Sequence, residues 1–125
     1  MPTVFDPSVL AQLPMVADGS QPEFAEEMLQ LFESTSTSSL RAIEAALASG
    51  DNTTLQRHMH TLKSSGAQVG ALELAALAQI FESELRAGRP ASTACLPQLR
   101  DAHQRLLQAW PLARHSHRES TAGRA

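Results

Sequence analysis

The chain has 125 residues, 42% hydrophobic and 18% charged, enough apolar content for one buried core and too much for a wholly disordered chain. Its net charge of −3 sets up no field favouring nucleic acid. The single cysteine, Cys95, excludes an internal disulfide framework and a cysteine-based zinc cage.

Helix formers dominate and β-branched residues are sparse, so the elements are read as helices. Pro7 to Met15 is a short one, with Asp6 as N-cap, Pro7 in the first helical position and Val9, Leu10 and Leu13 apolar. Pro14 closes its ordered part, and Asp18-Gly19-Ser20 forms a turn. From Pro22 to Ser49 the apolar positions Phe24, Met28, Leu31, Phe32, Ala42, Ile43, Ala46 and Leu47 keep one register. The Ser/Thr run from Ser34 to Ser39 consists of indifferent helix formers, but the register resumes beyond it, which predicts one continuous helix. Gly50 stops that helix and Asp51 caps the next, which runs to Val69 and is closed by Gly70. Ala71 to Ala87 follows, with Leu74, Leu77, Ala78, Phe81 and Leu85 on one stripe and Gly88 as the stop. Ser92 or Thr93 caps a last helix, with Leu96, Leu99, His103, Leu106 and Trp110 as its stripe. After Pro111 the periodicity is lost.

Four long amphipathic segments joined by short Gly-punctuated loops predict an all-α fold. The economical arrangement is an up-down-up-down four-helix bundle with a short additional N-terminal helix, over residues 1–113. Residues 114–125 are expected to form a flexible tail. No basic flank precedes an apolar run at the N-terminus, and no stretch of about 18 apolar residues occurs. The expected setting is therefore cytoplasmic, without direct membrane contact.

Projected at about 100° per residue, the Asp51–Val69 helix places Leu55, Met59, Leu62, Gly66 and Val69 toward the bundle. On the opposite side fall His60, Lys63, Ser64 and Ala67, with Gly70 and Ala71 just beyond. An ordinary solvated face carries long charged side chains; this one has an imidazole, the chain's only lysine and small residues. Such a surface suits the close approach of another protein to one protruding nucleophile.

The run His60-Thr61-Leu62-Lys63-Ser64-Ser65-Gly66-Ala67-Gln68-Val69-Gly70-Ala71 resembles the signature of histidine-containing phosphotransfer domains. These are four-helix bundles that relay phosphoryl groups between receiver domains in multistep two-component signalling. The resemblance extends to Phe5-Asp6-Pro7, Phe24 to Phe32, Gly50-Asp51 and Leu85-Arg86-Ala87-Gly88. Met59, Ser64 and Gly66 depart from the family's common choices without removing a group the chemistry needs.

What the resemblance implies is that His60 is the phosphoacceptor, with Glu82 and Arg86 flanking it from the neighbouring helix; Arg86 is the better match. Imidazole titrates near neutrality, so a ring nitrogen can offer its lone pair to an aspartyl phosphate. Lys63, one turn on, offsets phosphate charge, and Ser64 or Ser65 can donate a hydrogen bond to it. Arg86 is expected to support the phosphate, and Ala67, Gly70 and Glu82 to serve docking. No Gly-rich nucleotide loop and no metal cage is present, so no cofactor is expected on this chain, and Mg²⁺ would come from the partner receiver. The expected partners are response-regulator receiver domains and a hybrid histidine kinase, met by a monomer that is itself a phosphoryl carrier and not a kinase. It would stand alone or form the C-terminal domain of such a kinase. The alternative is a degenerate bundle that docks a receiver without carrying phosphate. A metal-binding bundle is disfavoured because inward Glu-x-x-His pairs are absent.

The other histidines are read as structural. His58 lies roughly 200° from His60 on the helix and packs against a neighbouring helix, too badly spaced to chelate an ion with it. His103 is a hydrogen-bonded core residue, and His115 and His117 belong to the tail. Cys95 is a small hydrophobe.

Overall fold

The computed structural model describes the backbone of residues 3–122 and the side chains of residues 3–109. Every described element is a helix: α1 (Ser8–Ala11), α2 (Pro14–Ala17), α3 (Phe24–Ser49), α4 (Asn52–Val69), α5 (Leu72–Arg86) and α6 (Cys95–Ala122). The helices α3 and α5 each pack against both α4 and α6, and α1 packs on α4. Leu40, Ile43, Leu55, Met59, Leu62, Leu74, Leu99 and Leu106 meet in the shared core.

The ends of the helices follow their local chemistry. Asp51 caps α4 by accepting from the Thr54 N–H at 3.1 Å and from the Thr54 hydroxyl at 2.6 Å. Gly50 and Gly70 close α3 and α4 in the left-handed region, with φ of 73° and 86°. At α6 the Ser92 hydroxyl accepts from the Ala94 N–H. Asp6 accepts from the Ser8 N–H at 3.0 Å, but α1 starts one residue later than expected: Pro7 takes the N-cap position, without a side-chain cap bond, and Asp6 lies just ahead of it.

Four further expectations change. Pro14 opens α2 instead of ending an ordered segment, since a proline at the first helical position loses no hydrogen bond. Leu31 is 58% exposed, and Leu29 takes its place in the core beside Phe32. The α6 backbone continues past Pro111 to Ala122, where the sequence predicts a tail; His115, His117 and the other side chains of 110–125 lie outside the described residues. Gly70 and Ala71, placed on an exposed docking face by the sequence projection, are both buried.

The Ser/Thr run does remain helical, and two of its members explain two histidines. Ser36 and Ser39 are buried on one side of α3. The His103 Nε2 of α6 lies 2.8 Å from the Ser36 Oγ, and the His58 Nδ1 of α4 lies 3.4 Å from the Ser39 Oγ. Hydroxyls thus satisfy imidazoles that the packing removes from water. Burial lowers both histidines below their usual range, with Arg57 adding to the effect on His58 and Glu33 opposing it at His103. Burial also pushes the Cys95 thiol up to about 11, reinforced by Glu84, so Cys95 stays protonated as a core residue.

A pH dependence of stability follows. The folded state holds His103 neutral, so the unfolded state binds more protons once the pH drops below the ordinary value of 6.5. Stability is complete above that value and falls as the pH is lowered toward the depressed folded-state pKa. The slope is at most about 1.4 kcal/mol per pH unit per histidine. Thermal melts between pH 5 and 8 should show this decline, and His103→Gln should flatten it. An unchanged slope in that variant would remove His103 from the account.

Candidate functional site

The helices α4 and α5 approach closely because small residues line their contact. A Cβ built on Gly66 would sit 3.3 Å from both the Ala75 Cβ and the Ala71 carbonyl oxygen. The pair is antiparallel: Gly66 meets Ala75, His60 meets Glu82, and Gln56 donates to the Leu85 carbonyl. Leu55, Met59, Leu62 and Val69 turn inward as the periodicity requires, which carries His60 to the edge of the α4–α5 contact.

There His60 stands with its side chain 54% exposed, while Glu82 opposite it is only 4% exposed. The His60 Nδ1 lies 2.8 Å from Glu82 Oε2, and the Lys63 Nζ donates to Oε1 of the same carboxylate at 2.8 Å. Arg86, one turn along α5, brings Nη2 to 3.7 Å from Oε2. One buried carboxylate is therefore the hub for three basic side chains. Burial alone would raise the Glu82 pKa, but the Lys63 and His60 hydrogen bonds, with the charges of Arg86 and Lys63, outweigh it and hold the carboxyl below its usual range. Glu82 is ionised at neutral pH.

An ionised carboxylate offers only acceptors, so the His60 Nδ1 carries the proton in this hydrogen bond. In the neutral ring the lone pair then belongs to Nε2. The site consequently presents a tautomer-fixed imidazole, half-exposed and flanked by cations.

The sequence-predicted residues separate into two groups. His60, Lys63, Arg86 and Glu82 converge at one point. Ser64 and Ser65 are half-buried on the same helix, and Ala67 is exposed. Gly70 lies off the exposed face on which docking was expected: it is buried, and its backbone is closed off by the N-terminal segment, with the Asp6 N–H donating to the Gly70 carbonyl at 2.8 Å. Glu82, expected to serve docking as well as to flank His60, is buried too. Buried as it is, it acts inward on His60 and Lys63. The signal that could have found this was its position on the α5 stripe, four residues before Arg86 and one after Phe81; a charged residue there is buried only with partners. No cluster of three or more His, Cys, Asp or Glu residues able to hold a metal occurs among the described residues. None of the described helices is long and apolar enough to cross a membrane.

The family model of the Hpt domain matches residues 27–109. The chain belongs to the Hpt domain family. Membership implies phosphotransfer in phosphorelays and interaction with response-regulator receiver domains, as a phosphocarrier. The match begins in α3 and ends in α6, so it contains His60, Lys63, Glu82 and Arg86 and leaves out α1 and α2. Neither the comparison with curated proteins nor that with solved structures gives a match.

Proposed function

We propose that this Hpt domain relays phosphoryl groups through His60, accepting from an aspartyl phosphate of one receiver domain and delivering to the aspartate of another. The observation that carries the reading is the exposed imidazole whose Nδ1 is engaged by buried Glu82 at 2.8 Å. The Nε2 lone pair attacks phosphorus in line; the P–O bond to the aspartate breaks and its electrons stay on that carboxylate. Such a transfer depends on positioning and charge neutralisation. Lys63 and Arg86 supply positive charge on this side, and the receiver supplies the aspartate and its Mg²⁺. Ser64 or Ser65 donates to a phosphoryl oxygen, and Ala67 lets the receiver approach closely.

The four long helices are proposed to run up-down-up-down, a reading supported by antiparallel α4–α5 contacts and by α3–α6 pairs in which Ser36 meets His103 and Glu44 meets Arg100. The domain acts in the cytoplasm as a monomer, either on its own or as the C-terminal domain of a hybrid sensor kinase. Relay contacts must dissociate in every cycle, so the receiver interface stays at or below about 1,200 Å² in total.

The test is incubation with a radiolabelled phosphorylated receiver, which should leave an acid-labile, base-stable label on this chain. Absence of label under conditions where the receiver binds would favour docking alone. In the same assay Lys63→Ala should slow transfer by about ten- to thirtyfold without abolishing it. Lys63 supplies charge and not the nucleophile, and its pairing strengthens when a docked receiver excludes water. Lys63→Arg should recover part of the rate, since guanidinium keeps the charge but not the point geometry. Wild-type rates for Lys63→Ala would reduce it to a solvated surface charge. On the rim, Glu82→Ala is expected to slow transfer more than Arg86→Ala, the opposite of the sequence-based ranking, because Glu82 touches His60 directly while the Arg86 side chain is 62% exposed.

A further inference from the structure

The structure points to a second role for Glu82: it retains the Nδ1 proton on phosphorylated His60 and so keeps the phosphoryl group in its transferable, short-lived form. This inference rests on the relay reading above. It follows from the proton balance of the transfer. When Nε2 of a ring that carries hydrogen on Nδ1 forms the P–N bond, the product is a phosphorylated imidazolium, still protonated at Nδ1. In the reverse step the P–N electron pair returns to Nε2 and the ring leaves as neutral imidazole. No proton moves in either direction.

The chain's own groups decide whether that balance survives. If the imidazolium gave its Nδ1 proton to water, the remaining neutral phosphohistidine would have to expel an anionic imidazole, a poor leaving group. A carboxylate accepting from Nδ1 opposes that loss, because it stabilises the positively charged ring. Glu82 is placed to do so at 2.8 Å, and with 4% side-chain exposure it is shielded from the water that would screen it. A neutral amide at the same place would accept the hydrogen bond without the charge.

The other charged groups around His60 act against it. From α5, Arg86 lies 3.7 Å from the oxygen that His60 uses. On α4 itself, Lys63 takes the other oxygen at 2.8 Å, and Arg57 is exposed one turn before His60. On its far side α4 faces α3 through the His58–Ser39 pair, and Asp6 ahead of α1 meets its C-terminal end at Gly70. Glu82 is thus the anion in direct contact with the reacting ring, and Lys63 and Arg86 divide its charge between that ring and the phosphate site.

The experiment uses the full chain phosphorylated with phosphoramidate. The Nδ1 protonation of the phosphohistidine is followed by ¹⁵N NMR against pH, together with the first-order loss of the phosphoryl group. Wild type should keep Nδ1 protonated to a pH about one to two units higher than Glu82→Gln. Between the two midpoints its phosphohistidine should decay about tenfold faster or more. Arg86→Ala, which leaves Glu82 in place and removes a competing cation, should raise the midpoint by a few tenths of a unit, of the order expected for an exposed pair. Coincident midpoints for wild type and a folded Glu82→Gln would overturn the proposal. If Glu82→Gln loses its helical circular dichroism, an unchanged or lowered midpoint in Arg86→Ala overturns it instead. Failure of the wild type to form any phosphohistidine would overturn the relay reading beneath it, a result distinct from either.

Discussion

His60→Gln should abolish phosphoryl acceptance completely while leaving the bundle folded. The variant removes the sole Nε2 lone pair on the exposed face of α4, and glutamine has no nitrogen able to take its place. The fold should tolerate the change because the side chain is 54% exposed and Glu82 keeps Lys63 at 2.8 Å and Arg86 at 3.7 Å. The expected cost in stability is therefore at most about 1 kcal/mol. His58→Gln is the discriminating companion. His58 points to Ser39 on α3, so its loss should lower stability modestly and leave labelling intact. Transfer from a labelled receiver, measured beside a thermal melt, reads both effects. A dead His58→Gln beside an active His60→Gln would overturn the assignment.

A buried carboxylate also bears on the choice between a relay and a bundle that only docks. Burying Glu82 carries a desolvation cost that the Lys63 and His60 hydrogen bonds and the Arg86 charge offset. An apolar side chain at this position on the α5 stripe would fill the same space without that cost, and a docking surface gains nothing from an acid it does not expose. An imidazole nucleophile gains a fixed tautomer. The expense of the charge is intelligible if His60 reacts.

How far the sequence alone reaches can be judged residue by residue. The inward face of α4 was legible because Leu55, Met59, Leu62, Gly66 and Val69 repeat at the helical period, and all are buried. His60 and Lys63 on its other side were legible for the same reason. Continuity of α3 through the Ser/Thr run was legible from the register on either side of it. What Ser36 and Ser39 do was not: their hydroxyls answer histidines 67 and 19 residues away, and periodicity within one helix carries no information about such pairings. The same limit applies to Glu82: the family resemblance set it beside His60, but its part as the buried hub for His60, Lys63 and Arg86 depends on how α5 is set against α4. Leu31 failed differently. Two adjacent apolar residues both fit a broad stripe, and only the packing partners decide that Phe32 enters the core while Leu31 faces water.

Gly70 marks a further limit, since a glycine at a helix end can read as a stop, a small docking residue or a close-contact position. Its φ of +86° already disfavours a side chain, and an added Cβ would clash with the Asp6 carbonyl oxygen. That carbonyl belongs to the segment whose N–H donates to the Gly70 carbonyl at 2.8 Å, so the backbone cannot withdraw without losing the contact. Gly70→Ala should therefore combine the left-handed penalty of about 1–2 kcal/mol with displacement of residues 4–10, including buried Leu10. A total loss of about 3–4 kcal/mol is expected. Gly50→Ala supplies the reference: φ is +73°, but nothing lies within 4 Å of the added Cβ, so it should show the conformational penalty alone. Denaturant melts of the two variants give the contact with Asp6 as their difference. Equal losses would mean that the N-terminal segment yields freely and that Gly70 serves only as a helix stop. Wild-type stability of Gly70→Ala with impaired receiver transfer would instead restore Gly70 to the docking surface.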